Sequence, residues 1–363
     1  MTENSKNATS TTSLGRLIDF IAGPDDVDEE LAARLSSVRD LLVEPDDMPR
    51  PFLTVLLRTQ GKREESLKDA LLCLSAQTDR DFEVIVLEHD AFPENAADVR
   101  RVLDRQPPEL AARLTLVEVT GGTRSRPLNE GIRMARGHYV AVFDDDDLVF
   151  ANWVEEFHKA SLRGDGRLLR ANVATQNVQP ELWPQDQDGF RTFTWPAAEY
   201  ERYFDQLQHM LVNHSPFMSW AFPRSLFYTF GVRFDEELTV CEDWDVILRG
   251  SLLCGVDDID VLTSIYRRWV GGESSYTKHS EASWRESEQR VIDRLNNAVI
   301  MLPPGSVQGI RDLVLFNDGL KSYRFLFRGN QLRPPLNWAW TMARPLVKSA
   351  VRVRSKLRRL RAH

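Results

Sequence analysis

Acidic side chains follow two apolar segments at the points where the segments end. Residues 144–147 are four consecutive aspartates directly after the run 138–143, and Glu88-His89-Asp90 closes the run that begins at 82. Capping of the next helix would explain the shorter group equally well. Four adjacent carboxylates, however, repel one another unless a cation compensates their charge. Because Mn²⁺ and Mg²⁺ prefer oxygen ligands, the sequence predicts a site for one of them here.

A third acidic group, Glu242-Asp243-Trp244, opens an amphipathic helix with Ile247 and Leu248 on its apolar face. A carboxylate fixed at a helix N-terminus is well placed to take a proton from a substrate hydroxyl. The helix dipole alone also favours acids at this position. The residues by themselves leave both roles open.

Other phosphate and metal chemistries lack their motifs. Neither GxxxxGK[ST] nor GxGxxG occurs near the acidic segments, so a P-loop and a dinucleotide fingerprint are both excluded. Cys73, Cys241 and Cys254 have no paired spacing with one another or with histidine, which argues against a disulfide framework and a structural zinc site. A diphosphate bridged to the protein by a metal ion is the natural substitute.

Alternating strand and helix patterns must position these acids. Apolar runs of strand length occupy residues 52–57, 82–87, 114–119 and 138–143, and helical patterns separate them. Repeated units of this length predict a doubly wound, mostly parallel α/β sheet. In such sheets ligands bind at the carboxyl ends of the strands, where two of the acidic groups lie.

Three segments resemble successive blocks of the family 2 glycosyltransferases, which have the GT-A fold. The segments are FLTVLLRTQGKREESLKDALLCLSAQTDRDFEVIVLEHD, NEGIRMARGHYVAVFDDDDLVFANW and GVRFDEELTVCEDWDVILRG. They occur in the family's order and at its usual spacing, and the resemblance extends over about residues 51–275.

The resemblance implies a role for each acidic group. Glu88 corresponds to the acid that contacts the nucleotide base, with Asp90 as the second candidate. The family's DxD motif falls on Asp144, which meets the ribose, and on Asp146, which holds the metal with help from Asp144; Asp145 lies between them in the donor site. Asp243 corresponds to the general base. The implied reaction is an inverting, metal-dependent sugar transfer from a nucleotide sugar.

This chain departs from the family pattern at three places. The usual Asp-Asp-Gly-Ser reads Glu88-His89-Asp90-Ala91, so the base of the nucleotide stays open. Leu128 stands where many members have an arginine, and we expect Arg124 or Arg126 to supply that cation, with an exposed surface arginine as the alternative. Trp269 stands where many members have a metal-binding histidine, so the third metal ligand is not identified.

Aromatic residues of the second half suggest an acceptor cleft. Aromatic rings pack well against sugar rings, so we expect Trp220, Trp244 and Trp269, together with Glu242, at the acceptor site or its lid. Tryptophan is also a good core residue, and the sequence does not separate the two roles.

The domains follow from these patterns. We expect a polar and helical N-terminal extension over residues 1–50, a GT-A domain over 51–290 and a basic helical region over 291–363. The GT-A domain divides into a nucleotide-sugar half, 51–150, and an acceptor and base half, 151–290. The segment 1–16 lacks the apolar region of a signal peptide, and no apolar run reaches about 18 residues, so we expect a cytoplasmic protein.

Charge is distributed unevenly along the chain. The net charge is −8, but twelve lysines and arginines and no acids follow Asp318, which leaves −20 on residues 1–318. Because the body is acidic, we expect no nucleic-acid partner. Leu346, Ala350, Val353, Leu357 and Leu360 form one helical stripe among the cations. This pattern predicts an interfacial helix on an anionic membrane; docking on the acidic body and a disordered tail are the alternatives.

The predicted function is transfer of a sugar from a nucleotide-diphosphate sugar to a hydroxyl of a glycan or of a lipid-linked cell-envelope acceptor. One alternative is a catalytically inactive glycan-binding or scaffold protein, which the altered positions at Glu88 and Trp269 would fit. A sugar nucleotidyltransferase is less well supported, because the segment 58–62 lacks the glycine-rich phosphate loop that such enzymes carry after their first strand.

Overall fold

Four parallel strands form one half of the sheet, as the apolar runs predicted. The structure is a computed structural model that describes residues 12–22, 29–43, 49–183, 187–271, 278–311, 327–328 and 331–332. The strands are β1 (Leu53–Thr59), β2 (Phe82–His89), β3 (Leu114–Val119) and β4 (Tyr139–Asp144), in the spatial order β3-β2-β1-β4. Each pairs in parallel with its neighbours.

Strands β1, β2 and β4 are buried on both faces, which explains why they are apolar without alternation, whereas the edge strand β3 is half-exposed. Leu53, Val55 and Leu57 of β1 belong to one core cluster, whereas Leu56 points into a second cluster on the opposite face. The described helices are α1 (Ser13–Ala22), α2 (Glu29–Arg39), α3 (Glu64–Ser75), α4 (Pro93–Asp104), α5 (Pro108–Ala111), α6 (Ser125–Met134), α7 (Trp153–Ser161), α8 (Gln206–His209), α9 (Arg224–Tyr228), α10 (Glu242–Cys254) and α11 (Glu281–Asn296).

The second half of the sheet is mixed. Strand β8 (Trp220–Pro223) runs antiparallel to β4 and joins it to β6 (Leu168–Trp183). Strand β9 (Val256–Trp269) pairs in parallel with β6, and its other edge carries the short β5 (Leu148–Val149). Strand β7 (Gln187–Thr192) forms an antiparallel pair with the end of β6. The fold is thus a mixed α/β fold with a sheet rich in parallel pairs.

Helix α11 packs against α10 and the loop before it. Val291 lies in a core cluster with Trp244 and Leu248 of α10. On the rim of that contact Arg294 forms ion pairs with Asp235, at 2.6 Å, and with the buried Asp245. Helix α10 is therefore held from outside by a helix that follows it in the chain.

Contacts divide the chain into two units, residues 1–303 and 304–363. In the second unit the structure describes a helical turn at 306–311 and the antiparallel pair of β10 (Phe327–Arg328) with β11 (Gln331–Leu332). The predicted amphipathic helix near the C-terminus lies outside the described residues. Within the described part of the chain, no helix is long and apolar enough to cross a membrane.

Candidate active site

A cleft of about 730 Å³ opens at the carboxyl ends of β1, β2 and β4. Its walls include the β6–β7 hairpin, through Glu181 and Phe190, and the end of β9, through Trp269. The predicted residues that line it are Asp90, Arg124, Asp144, Asp145, Asp146 and Trp269. Acidic groups that are far apart in sequence thus meet at one edge of the sheet, as predicted.

The first and last aspartates of the run are fixed by the protein itself. Arg58, at the end of β1, chelates Asp144 with two hydrogen bonds, from Nε to Oδ1 at 2.8 Å and from Nη2 to Oδ2 at 2.9 Å. Asp147 is buried and accepts a hydrogen bond from the backbone N–H of Arg267 at 2.9 Å. Asp147 therefore anchors the loop to β9.

The two middle aspartates lie in the cleft with different partners. Asp145 accepts a hydrogen bond from the hydroxyl of Thr59. Asp146 forms an ion pair with Arg63, whose Nη1 lies 2.5 Å from Asp146 Oδ2. Each acid of the run therefore has its own partner, which compensates part of the mutual repulsion.

The pKa values of these carboxylates shift in opposite directions. Burial favours the neutral form of Asp144, but the charges of Arg58 and Arg124 outweigh it and lower its pKa. Burial raises the pKa of Asp145 and of Asp146, and neighbouring aspartates add to the effect. The middle of the run therefore gains from any further cation that enters the cleft.

The AQT segment of the first block holds the loop after the aspartates. Gln77 donates a hydrogen bond to the carbonyl of Phe150 at 2.8 Å and accepts one from the N–H of Val154 at 3.0 Å. Thr78 donates two further bonds to the carbonyl of Ala151, one from its backbone N–H and one from its hydroxyl. The end of α3 is thereby tied to the start of α7, and the aspartate loop is fixed between β4 and this tie.

The ARG segment of the second block fixes β4 itself. Arg136 binds Glu83 of β2 through its backbone N–H at 2.8 Å and its guanidinium, and Glu83 also accepts from Thr54 of β1 at 2.7 Å. Gly137 lies so close to β1 that a Cβ atom there would be 2.4 Å from the backbone nitrogen of Thr54. Both residues align the strands that carry the site.

Asp243 lies in the first turn of α10, as predicted. Its Oδ2 accepts a hydrogen bond from Asn213 at 3.0 Å, and its Oδ1 accepts from the N–H of Trp244 at 2.8 Å. Burial, with the charge of Glu242 as a second cause, raises the pKa of Asp243 to about 6. Asp243 is half-buried and is not among the residues that line the cleft. Cys241, the residue directly before α10, adopts a left-handed backbone conformation with φ of 66°.

Glu242 connects α10 to the floor of the cleft. It is 2% exposed and meets two arginines of the site: Arg58 Nη1 lies 3.3 Å and Arg124 Nε 2.5 Å from its Oε1. Because Arg58 also chelates Asp144, one guanidinium links the aspartate run to the helix that carries Asp243. An acceptor contact was predicted for Glu242; the geometry instead makes it an ion-pair partner inside the protein.

The two candidates after β2 differ in position. Asp90 lines the cleft, has a positive φ of 49° and accepts a hydrogen bond from the N–H of Gly121 at 2.7 Å. Glu88 is buried, and burial raises its pKa. One carboxylate oxygen of Glu88 has no hydrogen-bond partner in the part of the chain that the structure describes. The geometry places Asp90, rather than Glu88, on the cleft wall.

The two predicted arginines before β4 also differ in position relative to the cleft. Arg124 lines the cleft and pairs with Glu242. Arg126 is exposed, is not among the lining residues and packs its aliphatic chain against Gly122, where a Cβ atom would lie 2.5 Å from Arg126 Cδ. Of the two predicted cations, Arg124 therefore has the position that a donor would need.

The three tryptophans have different environments. Trp220 and Trp244 are 0% and 2% exposed, and their indole nitrogens donate to Ser215 and to the carbonyl of His209. Both are core residues in this structure, and the predicted acceptor contact has no support at either. Trp269 lines the cleft, with the guanidinium carbon of Arg63 4.1 Å from the centre of its ring.

Arg58 and Arg63 are site residues that the sequence analysis missed. In the sequence, the segment 58–62 is notable only for lacking the glycines of a phosphate loop. The position of Arg58 directly at the carboxyl end of an apolar strand was a usable signal, since ligands bind at that edge. Arg63 carried no comparable signal, because it follows the strand by four residues at the start of α3.

Asp144 and Asp146 are the candidate ligands of the predicted divalent ion. Both carboxylate oxygens of Asp144 accept hydrogen bonds from Arg58, and one oxygen of Asp146 accepts from Arg63. Both aspartates line the cleft. No cluster of three or more metal-ligating side chains occurs within the ranges that the structure describes. The protein therefore offers one or two carboxylates, which fits an ion that takes its other ligands from phosphates and water.

Known proteins that are similar to this chain are glycosyltransferases. The family model described as glycosyl transferase family 2 matches residues 58–229. The uncharacterized glycosyltransferase MJ1057 of Methanocaldococcus jannaschii is 22% identical over 208 residues, which cover 56% of this chain and 66% of that protein. The uncharacterized glycosyltransferase EpsJ of Bacillus subtilis is 26% identical over 188 residues, half of each chain.

A solved structure shares the fold. The crystal structure of S. aureus TarS 1-349 in complex with UDP-GlcNAc superimposes with a TM-score of 0.51 at 15% identity and covers 68% of this chain and 67% of that one. The fold is therefore of the GT-A type. The match to the glycosyl transferase family 2 model lies within the segment that forms this fold, and the chain spans between half and two thirds of the length of the curated relatives named above.

Proposed function

We propose that the protein is an inverting, metal-assisted glycosyltransferase. It transfers a sugar from a nucleotide-diphosphate sugar to a hydroxyl of a glycan or of a lipid-linked cell-envelope acceptor. The observation that carries this proposal is the link between two acidic centres: Arg58 joins Asp144 at the end of β4 to Glu242 at the start of α10. Asp243, the residue after Glu242, would thereby lie beside the cleft that holds the donor.

The donor half of the cleft would hold the nucleotide and its diphosphate. Asp144, kept ionised by Arg58, is suited to accept hydrogen bonds from the ribose hydroxyls. Asp90 lies on the wall where the base would bind. Asp146, with Asp144, would hold a Mn²⁺ or Mg²⁺ ion, and this ion would neutralise charge on the departing diphosphate. Arg124 adds a cation at the same edge.

Asp243 would act as the general base. As the acceptor oxygen forms its bond to the anomeric carbon, the bond from that carbon to the phosphate oxygen breaks, and the nucleoside diphosphate leaves with the electron pair. The hydroxyl proton passes to Asp243, whose orientation Asn213 fixes at 3.0 Å. Attack from the side opposite to the leaving group inverts the anomeric configuration.

The remaining regions extend this proposal. Residues 51–290 would form the catalytic domain, and the basic region near the C-terminus would bind an anionic membrane surface. That contact would place the enzyme on the inner face of the membrane, beside a lipid-linked acceptor. The proposal for the C-terminal region rests on its sequence pattern alone.

Nucleotide binding tests the donor half directly. Titration calorimetry with UDP and with GDP should show binding to the wild-type protein in Mn²⁺ that EDTA weakens by at least about tenfold. Asp146→Ala should abolish the Mn²⁺ dependence while the protein remains folded, and Asp98→Ala on the surface of α4 should behave as wild type. Equal affinity in Mn²⁺ and in EDTA would contradict metal assistance, and absence of nucleotide binding would favour the inactive glycan-binding alternative.

A further inference from the structure

We propose that Arg63 is an exchange cation of the donor site. It neutralises Asp146 while no metal is bound, and it transfers to the diphosphate of the nucleotide sugar when a metal ion takes the carboxylate. This inference rests on the proposed function and adds a donor-binding residue that the sequence motifs did not indicate.

The contacts of Arg63 place it between the two partners. Its Nη1 lies 2.5 Å from Oδ2 of Asp146, the carboxylate that would hold the metal ion. Its guanidinium stacks on Trp269 at 4.1 Å from the ring centre, and all three residues line the cleft. Stacking supports the plane of a guanidinium without using its N–H donors, so the group can change its anion and keep its platform.

Arg58, the other arginine bonded to the aspartate run, is held more firmly than Arg63. It chelates Asp144 through two nitrogens, reaches Glu242 with a third, and its side chain is only 10% exposed. The side chain of Arg63 is 25% exposed and that of Asp146 is 24% exposed. Of these two arginines, Arg63 is therefore the one that can leave its carboxylate at a moderate cost.

Electrostatics favours the exchange. A guanidinium and a divalent ion cannot share one carboxylate oxygen, because their charges repel each other at that distance. A guanidinium displaced within this partly buried cleft is stabilised by any further anion that enters, because burial makes its charge more costly. The donor brings that anion, and guanidinium groups match phosphate oxygens in geometry as well as charge.

Electron paramagnetic resonance of Mn²⁺ measures both halves of the exchange. In Arg63→Gln the competing cation is removed, so Mn²⁺ alone should bind about tenfold more tightly than to the wild-type protein. Mn²⁺ with UDP or with GDP should bind about tenfold more weakly, because the phosphate contact is lost. In both measurements, the affinity of Arg63→Lys should lie between those of the wild-type protein and Arg63→Gln. Arg285→Gln, which changes an exposed arginine on α11, should match the wild type.

Opposite shifts for the free ion and for the ion with nucleotide are the required signature. Equal Mn²⁺ affinity in Arg63→Gln and in the wild type, or a gain in both measurements, would overturn the exchange. Trp269→Leu keeps the ion pair but removes the platform, so it should weaken binding of Mn²⁺ with nucleotide and change binding of Mn²⁺ alone by less than about twofold. A wild-type protein that binds neither nucleotide would overturn the proposed function, whereas the Mn²⁺-only comparison would still test the competition at Asp146.

Discussion

Two adjacent carboxylates at the start of α10 have different surroundings. Glu242 is buried between Arg58 and Arg124, so it stays paired. Asp243 has no arginine bonded to it among the described residues; its amide partner Asn213 leaves its pKa raised to about 6 by burial. A carboxylate with this pKa accepts a proton near neutral pH more readily than an ordinary aspartate would.

Replacement of Asp243 by asparagine tests this assignment. Asp243→Asn keeps the shape of the side chain but cannot accept a proton, so we expect kcat to fall by at least about 10²-fold with donor affinity nearly unchanged. Because the folded pKa lies above the usual value, the ionised group costs stability as pH rises through about 6. The variant should therefore unfold at the same or a higher urea concentration at neutral pH. An equal loss of donor binding would make Asp243 a donor-site residue instead.

The pH dependence of the wild-type enzyme provides an independent check. The base must be deprotonated, so kcat/KM should rise about tenfold per pH unit below about 6 and level off above it. This acidic limb should disappear from the residual activity of Asp243→Asn. A limb that persists in the variant would assign the titration to another group.

The sequence predicted Arg124 and the aspartates that line the cleft, but it did not indicate Arg58 or Arg63. A run of aspartates is informative by itself, because its charge demands compensation. Arg58 and Arg63 resemble ordinary surface cations in the sequence, and their partners lie 86 and 83 residues away. Only the strand register, which sets the end of β1 beside the end of β4, brings these charges together.

At the scale of elements, the parallel half of the sheet was predictable and the mixed half was not. Strands buried on both faces produce continuous apolar runs, and β1 to β4 occupy nearly the predicted residues. Strand β9 alternates irregularly between buried and half-exposed positions, and its pairing with β6 contains register shifts. Such a strand shows no alternation of apolar and polar residues in its sequence, so no strand was predictable there from the pattern.

The tie between α3 and α7 should control both stability and the site. Gln77→Met keeps the volume of the side chain but removes the hydrogen bonds that Gln77 makes with the carbonyl of Phe150 and the N–H of Val154, which we expect to cost about 1–3 kcal/mol in urea unfolding. Nucleotide binding in Mn²⁺ should weaken as well, because the aspartate loop ends at this tie. Gln289→Met on the exposed face of α11 is the matched control. Unchanged stability in Gln77→Met would show that the tie does not fix the loop.

At the scale of the whole molecule, the separation of charge predicts where the enzyme works. If residues 335–363 form an interfacial helix, the protein should sediment with vesicles that contain anionic lipid, and salt should weaken this binding because charges are screened beyond about 8 Å at physiological ionic strength. Deletion of the segment should release the protein. Replacement of both Leu357 and Leu360 by aspartate should have nearly the same effect. Binding that ignores salt or survives the deletion would place the membrane contact elsewhere.

Turnover of nucleotide sugars is the most direct test of the central claim. Release of nucleoside diphosphate should be measured across a panel of purified UDP-sugars and GDP-sugars with the wild-type protein, with Asp146→Ala and with Asp243→Asn. We expect the wild type to hydrolyse or transfer from at least one donor in Mn²⁺, and both variants to lose at least about 10²-fold of that rate. Variants that turn over the donor as fast as the wild type, or activity that persists fully in EDTA, would contradict the account.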